Sequence, residues 1–241
     1  MTSKEKNELF DYFIQGLLRA EKNVARLLLN KNWDTSFLNK NREALLSGAY
    51  VDIYKTILKE DLPKRYKKDI DKAWKKLRKE VINNLSKIGL TVNKTYKGQD
   101  VINFMKQYGG LQIDNLTRKY ANEVYTATIE AAYSVDFDNA IEHLSDVIEG
   151  GMSRYAKTLV ETSWRTMENN YTLKLSEKAG IEYFRYDGPV DGKNRVFCSK
   201  HVGKVYSINE INKMVNDFGQ PVLYFRGGWN CRHYWTPVIE D

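Results

Sequence analysis

Apolar residues recur three and four apart along most of this chain, the period of an amphipathic helix. Phe10, Phe13, Leu17, Ala20, Val24 and Leu27 form a heptad seam on a first helix. At about two and a half heptads it predicts the face of a bundle helix, not a coiled coil. Residues 30–41, with Trp33 and Phe37, read as a polar break, and a shorter helix follows through Leu58. The most amphipathic segment comes next: Tyr66, Ile70, Ala73, Leu77, Val81, Leu85 and Ile88 make one stripe, and Gly89 stands where a helix-ending glycine belongs. Thr91–Asp100 reads as a linker and Gly109-Gly110 as a second break. Helices resume near Asp114, pause near Ser134–Asp136 and reach Gly150-Gly151. From Met152 to Ala179 two stripes lie side by side, Met152, Tyr155, Leu159, Thr162, Thr166 and Leu173 beside Val160, Trp164, Met167 and Tyr171. A helix apolar over so much of its girth is buried on more than one side, so this is the expected central helix. Thr162, Thr166 and Asn170 then need hydrogen-bond partners, which polar packing explains better than catalysis.

After Gly180 the period changes. Residues 181–186 are aromatic and read as a strand, Asp187-Gly188-Pro189 and Asp191-Gly192-Lys193-Asn194 are turns, and Val196–Cys198 and Lys204–Tyr206 read as short strands. Ser207 with Glu210 is a capping box that opens a brief helix to about Phe218, closed by Gly219. Val222–Phe225 reads as a further strand; Gly227-Gly228 then turns the chain into residues 229–235, and Pro237 ends it. The expected fold is therefore mainly α, with a helical N-terminal two-thirds, a long central helix and a small C-terminal α+β module. The expected division is a helical domain over 1–150 and, over 151–241, the long helix plus the module.

The composition suits that reading: 241 residues contain only four prolines and carry a net charge of +7. No apolar run approaches the ~18–20 residues of a membrane span, and the polar start, Met1 to Lys6, predicts no export leader. The densest charge lies opposite the stripe of the most amphipathic helix: Lys64, Arg65, Lys67, Lys68, Lys72, Lys75, Lys76 and Lys79. Such a face can track phosphates without reading sequence, or can simply be solvated.

Both cysteines and two of the three histidines sit close together near the end, as Cys198-Ser-Lys-His201 and Cys231-Arg-His233. Together they make a complete Cys2His2 set of the kind Zn²⁺ takes in structural sites. On a strand Cys231 and His233 share a face, with Arg232 on the other, free to hold a backbone carbonyl or an acid of the long helix or to lie at the surface. Three readings stand open: a metal site, a hydrogen-bonded polar core, and a Cys198–Cys231 disulfide.

The C-terminal third also resembles a known family. The long helix with Glu161-Thr162 and Asn169-Asn170, then Gly180 before an aromatic strand, lead into Cys198-x2-His201-Val-Gly203-Lys204-Val205-Tyr206 and finally Gly227-Gly-Trp-Asn-Cys231-Arg232-His233 with Pro237 close behind. Over residues 150–238 this is similar to the phage head-morphogenesis family typified by the Mu F-like minor head proteins. The family pattern commonly has Cys-x2-Cys, a Pro-x-His element and Asn-Cys-Arg-Cys. Here His201 and His233 stand in place of cysteines, and Gly227-Gly228-Trp229 replaces the proline–histidine element. The resemblance implies a structural minor capsid protein, not an enzyme. It would act in head assembly in the virion, near the portal, and be present in the host cytoplasm during assembly. Portal and capsid proteins would be its partners, packaged DNA a non-specific one, and the Cys/His set a structural zinc staple. The competing reading is a nuclease, toxin-like or metal-dependent, using His201, His233, Lys204 and Arg232. Against it, four Cys/His ligands close a zinc site, and the chain ends too soon after the motif for an appended effector. A third reading is a basic DNA-binding protein unrelated to phage.

Overall fold

The computed structural model describes residues 2–29 and 35–239. The fold is mainly α: α1 (Ser3–Leu9), α2 (Asp11–Leu29), α3 (Thr35–Leu58), α4 (Leu62–Lys87), α5 (Gln99–Tyr133), α6 (Phe137–Ile148) and α7 (Ser153–Lys178) precede a small α+β module. That module contains β1 (Tyr183–Asp187), α8 (Val196–His201), β2 (Val205–Ser207), α9 (Ile208–Lys213), α10 (Val222–Phe225) and β3 (Tyr234–Pro237). The chain forms two compact units, neither a single stretch: Met1–Lys6, Ile70–Lys106 and Leu159–Asp241 make one, Asn7–Asp69 and Gln107–Thr158 the other.

In the second of these units the predicted seam is buried from Phe10 to Val24, but its last member is Leu28; Leu27 is only half-buried. Phe10 and Phe13 pack on the ring of Tyr66, with ring centroids 6.0 and 5.5 Å away. Two buried acids hold helix starts from a distance. Asp69 Oδ2 accepts the Phe13 N–H in the first turn of α2 (2.8 Å), and Glu21 Oε1 accepts the N–H groups of Met152 and Ser153 at the start of α7 (2.7 and 2.8 Å). First-turn amides have no intrahelical partner, so each acid satisfies donors that would otherwise be stranded.

Three expectations about breaks change. The part of the 30–41 break that holds Trp33 lies outside the described residues, as does the side chain of Phe37, and from Thr35 onward the chain is already helical. Gly109-Gly110 breaks nothing, because α5 runs through both. A Cβ on Gly109 would lie 2.1 Å from Tyr66 Cε1, so this glycine serves close packing instead. The pause at 134–136 and the ending at Gly89 are as expected. Gly89 has φ +85°, and the Leu90 N–H bonds back to Leu85 O in the usual glycine-terminated pattern.

In the other unit, Trp74 meets Tyr171 edge-on at 4.9 Å, and Arg78 Nη2 and the Tyr171 hydroxyl both donate to the Tyr96 carbonyl. The three strands form an antiparallel sheet in the order β2-β1-β3, with Phe184 opposite Tyr206 and Tyr186 opposite Trp235. Phe184 and Tyr186 point into a core with Leu173, Phe197, Ile211, Val222 and Trp235. The capping box forms, with Ser207 and Glu210 exchanging bonds, but α9 stops at Lys213 instead of reaching Phe218. Two expected strands are helical. Val196–Cys198 opens α8, where the Phe197 N–H is taken by Asp217 Oδ2 at 2.9 Å, and Val222–Phe225 is the turn α10 after Pro221. Both are short apolar runs whose β preference gives way to tertiary partners.

Candidate metal centre

The core of the module brings Cys198, Cys231 and His233 together, all buried. Cys198 comes from the first turn of α8; Cys231 and His233 lie on the extended chain that leads into β3, two residues apart and facing the same way. Cys198 Sγ is 3.7 Å from Cys231 Sγ, and Cys231 Sγ is 3.8 Å from His233 Nδ1. A tetrahedral zinc with bonds of ~2.3 Å to sulfur and ~2.0–2.1 Å to nitrogen sets its ligands about 3.8 Å (S–S) and about 3.6 Å (S–N) apart. Both distances fit those spacings, and the three ligand atoms lie within 4.8 Å of one another, so the trio could hold a metal ion. Both thiols are free, and their separation is far beyond a sulfur–sulfur bond of ~2.0 Å.

His201 is not in the group. Its Nδ1 is 2.7 Å from the Tyr206 hydroxyl, its ring stacks on Phe197 at 4.2 Å, and burial with the charges of Lys204 and Lys200 holds its imidazolium below the usual range. The Cys2His2 tetrad expected from the spacing is therefore a Cys2His trio. On α8 the side chain of Cys198 enters the sulfur cluster, while His201, almost a turn further on, has passed it.

Tyr186 of β1 stands in the remaining space. Its Oη lies 3.5 Å from Cys198 Sγ and 3.6 Å from Cys231 Sγ, the separations a fourth tetrahedral ligand would have from them. Burial, reinforced by the adjacent Cys231 and Cys198, pushes its phenol far up, so the hydroxyl stays protonated. The two sulfurs share protons unequally. Hydrogen bonding from Cys198, set against burial and helped by the charge of Arg226, pulls Cys231 down, and the same bond pushes Cys198 up. Cys231 is thus the more acidic sulfur of the pair, which suits a metal ligand.

Two glycines make room for the cluster. A Cβ on Gly227 would lie 2.2 Å from Cys198 Sγ and 3.3 Å from Cys231 Sγ, and one on Gly188 would lie 2.5 Å from His233 Cδ2. The backbone therefore approaches the ligands more closely than any other residue allows.

Residues beyond the cysteines and histidines also shape the site. Arg232 does face away from the cluster, but it reaches neither the long helix nor a backbone carbonyl. Its guanidinium makes a bidentate pair with Asp191 at 2.6 and 2.7 Å. Arg226 is the arginine that binds α7, donating from Nη1 to the Arg165 carbonyl (2.7 Å) and from Nη2 to Thr166 Oγ1 (3.1 Å). Asn169 Oδ1 accepts the Trp235 N–H at 2.9 Å, which ties α7 to β3. Thr166 and Asn169 thus find partners within the module, whereas Thr162 Oγ1 and both polar atoms of the Asn170 amide have none among the described residues.

Of the basic residues of α4, Lys64, Lys67, Lys68, Lys72, Lys75 and Lys79 are exposed. Arg65 is engaged within the fold, bonding Glu60 and lying over the Tyr12 ring at 4.4 Å, and Lys76 is half-buried, 3.8 Å from Glu5. No helix among the described residues is long and apolar enough to cross a membrane. No family model, curated protein or solved structure matches the chain.

Proposed function

We propose that this chain is a structural minor capsid protein of a tailed phage or prophage, acting in head morphogenesis near the portal, with a zinc ion on Cys198, Cys231 and His233 as the staple of its C-terminal module. The observation that carries the reading is the meeting of the motif's two halves. Residues 198–206 and 227–233 are far apart in sequence, yet Cys198, Gly227, Cys231 and His233 meet around one buried point. A core of so few residues has little apolar area to bury, and a bound ion supplies what burial does not.

The setting supports a structural ion over a catalytic one. A catalytic zinc keeps an open position for water, whereas here the side left by the trio carries the buried Tyr186 hydroxyl. When bound, zinc would hold both sulfurs as thiolates and cross-link α8 to the approach to β3. Gly188 and Gly227 let the backbone close on the ligands, and Tyr186 excludes water. The exposed lysines of α4 suit loose, salt-dependent contact with packaged DNA.

Two measurements test this. Elemental analysis of purified protein should find about one zinc per chain; sub-stoichiometric zinc, iron and copper together would sink the staple. A gene neighbourhood holding portal, terminase and major capsid genes, with cosedimentation of the chain and that portal protein, is expected for a head protein. The absence of both refutes the assignment.

A further inference from the structure

A second site lies in the same unit, beside the metal centre. Arg226 is 1% exposed and sits at φ +52°, a left-handed conformation unusual for a side chain of its size. Both of its side-chain acceptors, the Arg165 carbonyl and Thr166 Oγ1, are neutral, and its Nε has no partner. None of the ion pairs among the described residues includes it. A buried guanidinium with no carboxylate in hydrogen-bond reach is costly, and a strained backbone that holds it there marks a place worth testing for function.

Arg226 lines a cavity of about 390 Å³, between α7 and the free edge of β3. Three other lining residues also carry buried nitrogens without partners: Asn169 Nδ2, His233 Nε2 and Trp235 Nε1. Three of these four nitrogens can only donate, and the fourth donates in one tautomer. Lys6, Arg165 and Arg232 also line it, Lys6 and Arg165 facing Glu161 at 2.7 and 3.6 Å and Arg232 paired with Asp191. Of the acids nearby, Glu161 is engaged by Lys6 at 2.7 Å and Ser3 at 2.6 Å, and Glu168, which itself lines the cavity, is pushed by burial up toward its neutral form.

We propose that this cavity binds a tetrahedral oxoanion of the phosphate class, either free or as the terminal phosphate of a nucleic-acid strand, with Arg226 as its central donor and Asn169 beside it. A phosphate offers acceptors in several directions at once, which a set of unsatisfied donors on α7, β3 and the turn after α10 requires. The site shares His233 with the metal centre but does not rest on the head-protein reading.

The test is titration of the full chain with inorganic phosphate at low salt, followed by ³¹P line broadening and calorimetry. Saturable one-site binding is expected. Asn169→Asp keeps the acceptor for the Trp235 N–H but replaces the donor with a negative charge, so binding should weaken by about tenfold or more while the fold is retained. Arg226→Gln should abolish binding; if that variant does not fold, Asn169→Asp carries the test alone. A short DNA strand with a 5′-phosphate that displaces phosphate, while its 5′-hydroxyl twin does not, assigns a strand end. Displacement by neither assigns a free small anion. No saturable binding up to about 10 mM phosphate, or binding unchanged in Asn169→Asp, overturns the proposal.

Discussion

Gly227→Ala probes the metal centre with the smallest possible change. Gly227 is absent from the positive-φ positions, so alanine meets no backbone penalty there and any effect is steric. The added Cβ would lie 2.2 Å from Cys198 Sγ, 3.3 Å from Cys231 Sγ and 3.7 Å from Tyr186 Oη. The closest contact is roughly 1.3 Å inside the ~3.5–4.0 Å optimum for non-bonded atoms, and the sulfur it meets is itself buried. Overpacking of this kind costs ~1–3 kcal/mol, against which burial of one methyl returns ~0.8 kcal/mol at most. Relief requires Cys198 to move away from Cys231, so metal affinity should fall together with stability. The assay is urea unfolding with and without a chelator, plus zinc content. The expected result is a net loss of about 0.2–2 kcal/mol and a smaller difference between the chelated and untreated protein. Gly110→Ala is the control: it lies inside α5 with nothing within 4 Å of the new Cβ, so it should stabilise by ~0.5–1 kcal/mol. If Gly227→Ala unfolds at the wild-type midpoint and keeps its zinc, the close approach of backbone to sulfur is not what shapes this site.

Other expectations follow from single contacts. Cys231→Ser and His233→Ala should each lose the metal, whereas His201→Ala should keep it; loss in the last variant would restore the tetrad. Glu21→Ala strands two amides at the start of α7 and should cost ~1–3 kcal/mol in urea unfolding, while Glu21→Gln, which still offers an oxygen, should cost less. The Arg232 pair, then the Lys193 N–H, hold Asp191 down to about 2, so its carboxylate should titrate by NMR well below its ordinary 3.8. Because that value is depressed on folding, its contribution is present above pH 3.8 and is lost as the pH falls toward 2; Arg232→Gln should move the titration back up. Charge reversal at Lys68, Lys72, Lys75 and Lys79 should weaken DNA binding and flatten its salt slope; unchanged binding would leave α4 merely solvated. Incubation with DNA, RNA and divalent ions should give no cleavage, and cleavage would favour the nuclease reading over the structural one.

The helices were legible because their signal is local. The stripe predicts its own burial from Tyr66 to Leu85, although its last member, Ile88, is 48% exposed, and Gly89 marks its own ending, since a 3.6-residue period needs no knowledge of the partner. The Cys/His set was legible for a different reason, the crowding of rare residues. The Gly227-Gly228 pair just ahead of Cys231 was a readable hint of close backbone approach. Nothing in the local sequence marked Tyr186 or Arg226, because an aromatic on a strand and an arginine after a turn look alike wherever they point.

The mainly α class, the small module at the end and the pairing of Cys231 with His233 on one face all follow from patterns a few residues long. Which residues complete the site does not. Val196–Cys198 and Val222–Phe225 are too short to choose between strand and helix by themselves, and contacts with Asp217 and the chain around Pro221 chose helix. That choice sent His201 to Tyr206, left Tyr186 beside the sulfurs, and buried Arg226 against α7. Periodicity is a property of neighbours along the chain. The membership of a buried cluster is settled by side chains that meet only when distant segments pack.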